Sequence, residues 1–244
     1  ATVRTVKLNT SKPVGTEITL QVNRTYAGVT VDWGDGQVET YKAESGEVLQ
    51  ITGTVKGSFI TISGNEAWDM LACPNCGVEI IDLTNAKDMR SLFLQNNDLM
   101  TVPLQGMTKL VDFDASNNKL NKIEFTQSSY PEKDLLSIEN FNVANNQLSG
   151  SFVIRANTLR SLDVSNNERS IYMETSGNWE ELNHSISEAK VQALKLKALE
   201  KDSLQKARMD TLVSLLNLKQ VNLKQLRRVL IANNHESFLH EKVS

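Results

Sequence analysis

Two cysteines in 244 residues are too few to frame a small domain with disulfides. No uninterrupted apolar run reaches the roughly 18–20 residues needed to cross a bilayer, so no transmembrane segment is read. Neither sign of charge dominates: 26 Lys and Arg stand against 29 Asp and Glu, a net charge of −3. That balance supplies no electrostatic reason for a nucleic-acid partner or an anionic membrane. Histidine is scarce, and His184, His235 and His240 lie far from Cys73 and Cys76. A tetrahedral zinc site, which usually takes four protein ligands, therefore has no second pair to complete it. The chain also lacks G-x-S-x-G, H-E-x-x-H, a P-loop and a dinucleotide fingerprint. No catalytic residue, metal or cofactor is assigned, and the chain is not read as an enzyme. No signal peptide is visible, because Ala1-Thr2-Val3-Arg4 already reads as a strand. A mature product and a cytosolic chain both stay open on that ground alone.

What the sequence does have is a repeat. Met89-x-x-Leu92-x-Leu94-x-x-Asn97-x-Leu99 fits the leucine-rich pattern L-x-x-L-x-L-x-x-N/C-x-L. Copies follow at Leu110–Leu120 and Ile138–Leu148, and a shorter one at Leu159–Asn167. An earlier copy, Trp68–Val78, carries Cys76 in the Asn slot, and Leu226–Asn234 looks like a last, distant one. Leu71 to Leu92, Leu92 to Phe113 and Phe141 to Leu162 are each 21 residues. Phe113 to Phe141 is 28, which implies seven inserted residues around 127–133. A second apolar pair follows each Asn slot, as Ile81/Leu83, Val102/Leu104, Ile123/Phe125 and, one residue late, Phe152/Ile154, so each coil is expected to carry two short extended segments. Alternation points both leucines of L-x-L into the stack. The slot residues Cys76, Asn97, Asn118, Asn146, Asn167 and Asn234 are expected to form a ladder that bonds backbone groups left over where the chain bends. A single coil cannot bury its own faces, so stacking is what stabilises it.

Residues 1–64 have another texture. Ile18, Leu20 and Val22 alternate, as do Val29, Val31 and Trp33, and Ile60 and Ile62. Period-2 patterning of this kind predicts antiparallel strands, with Asp35-Gly36 as a hairpin turn. This small β-domain is expected to shield the open end of the first coil. From 178 the repeat dissolves, and Ser185-x-x-Glu188 and Asp202-x-x-Gln205 read as capping boxes of two helices. The expected fold is thus α+β, predominantly β. It comprises a β-domain over 1–64, a short-coil leucine-rich repeat solenoid over 65–177, and a helical cap with a final strand over 178–244. The apolar stripe of those helices has an alternative reading, a partner-binding surface.

Asp32-Trp33-Gly34-Asp35-Gly36 resembles the D-x-G-D-G hairpin of PKD-like surface domains, and Leu159–Asn167 resembles the L-x-x-L-D-V-S-x-N repeat of bacterial cell-surface, internalin-like proteins. The likeness covers roughly residues 1–175. It implies an exported, non-enzymatic binding protein at the extracellular or outer-membrane surface of a bacterium, with a lipid anchor possible upstream of Ala1. It also implies a protein or glycan ligand outside the cell. The seven-residue insertion, Arg169 in place of the last Leu and the long charged tail depart from the pattern.

The candidate binding surface is the outward column of the strand ladder: Ala72, Phe93, Asp114, Asn142, Asp163 and Leu230. Flanking positions add Gln95, Asp112, Ser116 and Ser165. Phe93 would serve as an exposed aromatic anchor among acidic and amide neighbours. Solvated surface is the plainer account of any one of these positions. Two further candidates have plain accounts as well. Cys73-Pro74-Asn75-Cys76 suits neither a thioredoxin motif, which should open a helix, nor zinc. The repeat register explains both cysteines as buried, and whether they are bonded stays open. Asp32 and Asp35 suit turn formation better than a calcium site. The rival to a ligand-binding function is a structural spacer of an envelope protein, and a weaker third reading is an accessory module of a carbohydrate-active enzyme.

Overall fold

A computed structural model describes residues 3–23, 26–42, 48–126, 134–148, 150–154, 158–164, 166–167 and 171–175. Among them every regular element is a strand. Alternating inward side chains shape the front: β1 (Arg4–Thr10), β2 (Glu17–Val22), β3 (Val29–Asp32), β4 (Val38–Tyr41), β5 (Leu49–Thr54) and β6 (Phe59–Gly64). In each coil a three-residue strand holds the middle apolar residue inward. These are β7 (Met70–Ala72), β9 (Ser91–Phe93), β11 (Asp112–Asp114), β13 (Asn140–Asn142) and β15 (Ser161–Asp163). The second segments of the coils form β8 (Val78–Asn85), β10 (Thr101–Pro103), β12 (Lys122–Glu124), β14 (Gly150–Ile154) and β16 (Ile171–Thr175).

The expected α+β class is corrected by this architecture. The described residues are all-β, with a solenoid-like stack, because a coil of 21 residues spends its length on two extended segments and two bends. The helical expectation rested entirely on 178–244, which lie outside the described residues, as do Leu230, Asn234, Ser165, Arg169 and the insertion at 127–133.

The front strands and the coils share their sheets. One sheet runs β15-β13-β11-β9-β7-β2-β5, parallel through the coils and antiparallel from β7 to β2 and from β2 to β5. The other runs β4-β3-β6-β1-β8, so the first coil's second strand closes the front sheet. The boundary expected at 64/65 falls between β6 and β7, and β2 crosses it by pairing Val22 with Leu71 and Gln21 with Ala72. A single apolar cluster follows, from Val6 and Trp33 at the front to Leu162 and Val164 in the coils. Within it Phe113 and Phe141 pack at 5.3 Å between ring centroids.

The ladder supplies the polar half of this stability. The amide of Asn118 accepts from the Leu99 N–H of the coil before it (3.0 Å) and donates to that coil's Leu94 carbonyl (2.9 Å) and its own Ala115 carbonyl (3.1 Å). Asn97 and Asn146 repeat this pattern, and Asn167 accepts from Leu148 N–H and donates to the Val143 and Val164 carbonyls. Every one of these amides is buried, where an unmet backbone group would be costly. The residue before each slot matters as much. Asn75, Asn96, Asn117, Asn145 and Asn166 have φ between 55 and 59°, the left-handed bend that Asn tolerates far better than most residues. Cys76 holds the slot but not the role. Its neighbour on the open side is antiparallel β2, and its thiol makes only weak contacts with the Thr19 (3.5 Å) and Pro74 (3.3 Å) carbonyls.

At the front hairpin Asp32 Oδ1 accepts from the Gly34 (2.8 Å) and Gly36 (3.1 Å) N–H groups, and Asp35 accepts from Gln37 N–H (3.0 Å). Lys56 Nζ lies 3.6 Å from Asp35 and 3.7 Å from Glu39. The carboxylates thus serve the turn. Buried Asp134 accepts from the N–H groups of Gly106 and Thr126, tying down the residues that flank the insertion.

Candidate ligand-binding face

The outer face of the seven-stranded sheet brings the expected column together. Register places Ala72, Phe93, Asp114, Asn142 and Asp163 side by side, one per coil, at the roughly 4.8 Å spacing of paired strands. Beside it runs a second column, Met70, Ser91, Asp112, Asn140 and Ser161. Phe93 is half-buried between Ala72, itself 6% exposed, and Asp114.

Several of the polar residues are already engaged. Asp114 Oδ1 accepts from the Ser116 N–H (2.9 Å) and hydroxyl (2.6 Å), and Asn142 Oδ1 accepts from the Ala144 N–H (3.0 Å). These side chains turn the chain into the Asn-Asn bend, and Ser116 is buried in doing so. Asp112 accepts from the Ser91 hydroxyl and the Asn140 amide. Gln95 keeps a buried Oε1 with no partner among the described residues, next to Phe93. The outward polar groups around Phe93 thus meet a ligand with bonds already made, and the Phe93 ring is the apolar surface among them.

Sequence reasoning missed how far this face extends. Gln21 pairs with Ala72 and with Gln50, and Thr19 pairs with Thr52, their hydroxyls 3.1 Å apart. The alternation of Glu17–Val22 and Leu49–Thr54 marks these residues as outward, yet no periodicity says which front strand joins the first coil. The outward positions from β5 to β15 include no lysine or arginine.

Cys73 and Cys76 lie behind the face, free and buried. Burial pushes the Cys76 thiol up to about 11 and the Cys73 thiol well above its ordinary value. Both are protonated near neutrality, and stability should fall as pH rises from the unfolded thiol value, about 8.5, toward about 11. Iodoacetamide at about pH 8 is expected to leave both unmodified in the native protein and to label both in denaturant. Native labelling at the rate of a free thiol would contradict this burial. Among the described residues no group of three or more His, Cys, Asp or Glu is placed to hold a metal ion. No described helix is long and apolar enough to cross a membrane.

In comparisons with known proteins no family model matches the chain, and neither a curated protein nor a solved structure matches it. The likeness to internalin-like and PKD-like proteins is thus carried by the motif residues alone.

Proposed function

We propose that the chain is a non-enzymatic recognition protein of a bacterial cell surface, exported, which binds a protein or glycan on the outer face of its seven-stranded sheet. The observation that carries this reading is the uninterrupted face itself. Six of its seven strands present outward hydroxyls, amides or carboxylates around one half-buried aromatic ring, without a lysine or arginine among them. Phe93 provides the apolar anchor, and the neighbouring column of Ser91, Asp112 and exposed Asn140, whose side chains already bond one another, provides the polar contacts. The spacer reading draws support from Asp114 and Asn142, whose side chains already bond their own backbone.

Screening the labelled chain and its Phe93→Glu variant against extracellular proteins and a glycan array separates the two. The binding reading predicts a saturable hit that the variant loses at least about tenfold, or about 1.4 kcal/mol, with unchanged melting. No hit, or one indifferent to Phe93, favours the spacer.

A further inference from the structure

The two sheets end differently at the front. The β4 edge is guarded by charge: Glu39 lies on it, within 3.7 Å of Lys56, which also reaches Asp35 at 3.6 Å. Among the described residues the β5 edge has no such guard. Leu49-Gln50-Ile51-Thr52-Gly53-Thr54 contains no charge and no proline, and its six pairs with β2 run without a bulge. Among the described residues β5 pairs with β2 alone, which leaves its other side as an edge of the longest sheet they form. Long, flat, uncharged edges are what folded proteins ordinarily avoid, because they template pairing with another chain.

From this edge we propose that the protein forms a two-fold dimer, the β5 strands of two copies pairing antiparallel and joining the two seven-stranded sheets into one. The side-chain alternation fixes which registers are allowed. A two-fold axis between two residues would set inward Ile51 against outward Thr52, which a pleated sheet forbids. The axis must pass through a residue. Placed at Thr52, it sets Thr52 against Thr52 and Gln50 against Thr54 on the outer face, and Ile51 against Gly53 on the inner. Hydroxyl and amide pairs then continue the Thr19–Thr52 contact already present in the sheet. The inner pairing extends the apolar layer that Ile51 and the partly buried Leu49 belong to. With no ionisable side chain on the strand, the copies meet without like-charge repulsion, whereas β4 would bring Glu39 toward its own copy. A second copy is favoured over a foreign strand because the edge is complementary to itself in both faces.

Sedimentation velocity of the full chain from about 1 to about 100 µM tests this. The expected result is a monomer–dimer equilibrium that Thr52→Lys weakens at least about tenfold and Thr52→Glu likewise, each with unchanged melting, while Thr40→Lys on β4 has no effect. Mixing Thr52→Lys with Thr52→Glu should restore the dimer, since the axis at Thr52 brings the opposite charges face to face. A chain that stays monomeric throughout, a dimer indifferent to Thr52, or a mixture that fails to recover overturns the proposal. The ligand-binding reading is tested separately, by affinity for a ligand at Phe93, three strands away from β5, and self-association does not decide it.

Discussion

Replacing Asn97 with Ala is expected to destabilise the protein by about 3 kcal/mol and lower Tm by roughly 6–12 °C. The Asn97 amide accepts from the N–H groups of Cys76 and Val78, both at 3.0 Å, and donates to the carbonyls of Cys73 (2.9 Å), Leu94 (3.0 Å) and Gln95 (3.3 Å). Three of those partners, Cys73, Cys76 and Val78, belong to the first coil and two, Leu94 and Gln95, to its own, so a single side chain fastens the first coil to the second. Alanine leaves them unmet in a buried seam, and each unmet group costs about 1–3 kcal/mol where water cannot reach it. Partial hydration and local relaxation keep the total below the sum. Asn97→Asp should be worse than Asn97→Ser, because a carboxylate turns three donated bonds into repulsions against carbonyl oxygens. Urea unfolding measures the loss. By contrast Asn96→Gly should change stability by less than about 1 kcal/mol, since Gly adopts the same left-handed bend freely. An Asn97→Ala variant as stable as the parent would show that the ladder decorates the stack rather than holding it.

The second large effect concerns Gly53. A Cβ there would fall 2.1 Å from Cζ2 and 2.2 Å from Cε2 of the Trp33 indole. The ring cannot retreat: it is 1% exposed, its Nε1 donates to the Tyr41 hydroxyl (3.1 Å), and that hydroxyl donates to Glu39 (2.6 Å). Trp33 and Tyr41 also meet edge to face at 6.5 Å. Gly53→Ala must therefore displace either β5 or the indole, and a cost of about 3 kcal/mol is expected, at the upper end for overpacking a core. The mechanism has a signature that a general weakening lacks. In a Trp33→Leu background, itself costly, the same Gly53→Ala change should cost under about 1 kcal/mol, because the clash has been removed. Additive losses in the double variant would place the strain elsewhere.

Much of this fold is legible in the residues, and the reasons are local. Leu92, Phe113, Phe141 and Leu162 recur every 21 residues, save for the seven inserted at 127–133, because each fills the same place in consecutive coils, and Asn97, Asn118, Asn146 and Asn167 mark the same bend. The hairpin at Asp32–Gly36 is readable because glycine is needed at positive φ, +117° at Gly34 and +80° at Gly36. What the residues do not display is partnership between distant strands. Alternation predicts β2 as a strand, but its pairing with β7, and that of β1 with β8, depends on matching two surfaces that no periodicity encodes. The helical expectation came from capping boxes in a region beyond the described residues, so it added an α class where the described coils have only strands. At the site Phe93 was readable from the repeat register. The turn roles of Asp114 and Asn142 were not, because an outward polar residue looks the same in sequence whether it serves ligand or backbone. One signal was overlooked: the doublets Asn96-Asn97, Asn117-Asn118, Asn145-Asn146 and Asn166-Asn167 announce a left-handed bend beside each ladder amide.

In the proposed function one face of the molecule does the binding, and that face spans front strands and coils alike. Affinity for the ligand found by screening, measured across single variants on both sheets, tests it most directly. Thr19→Lys, Phe93→Glu and Asn140→Lys change the outer face of the seven-stranded sheet, while Lys7→Glu and Ile80→Glu change the five-stranded one. Losses of at least about tenfold are expected for the first group, largest at Phe93, and no change for the second. Binding that survives all three and fails at Lys7 or Ile80 would contradict it, and would move recognition to the opposite side of the protein.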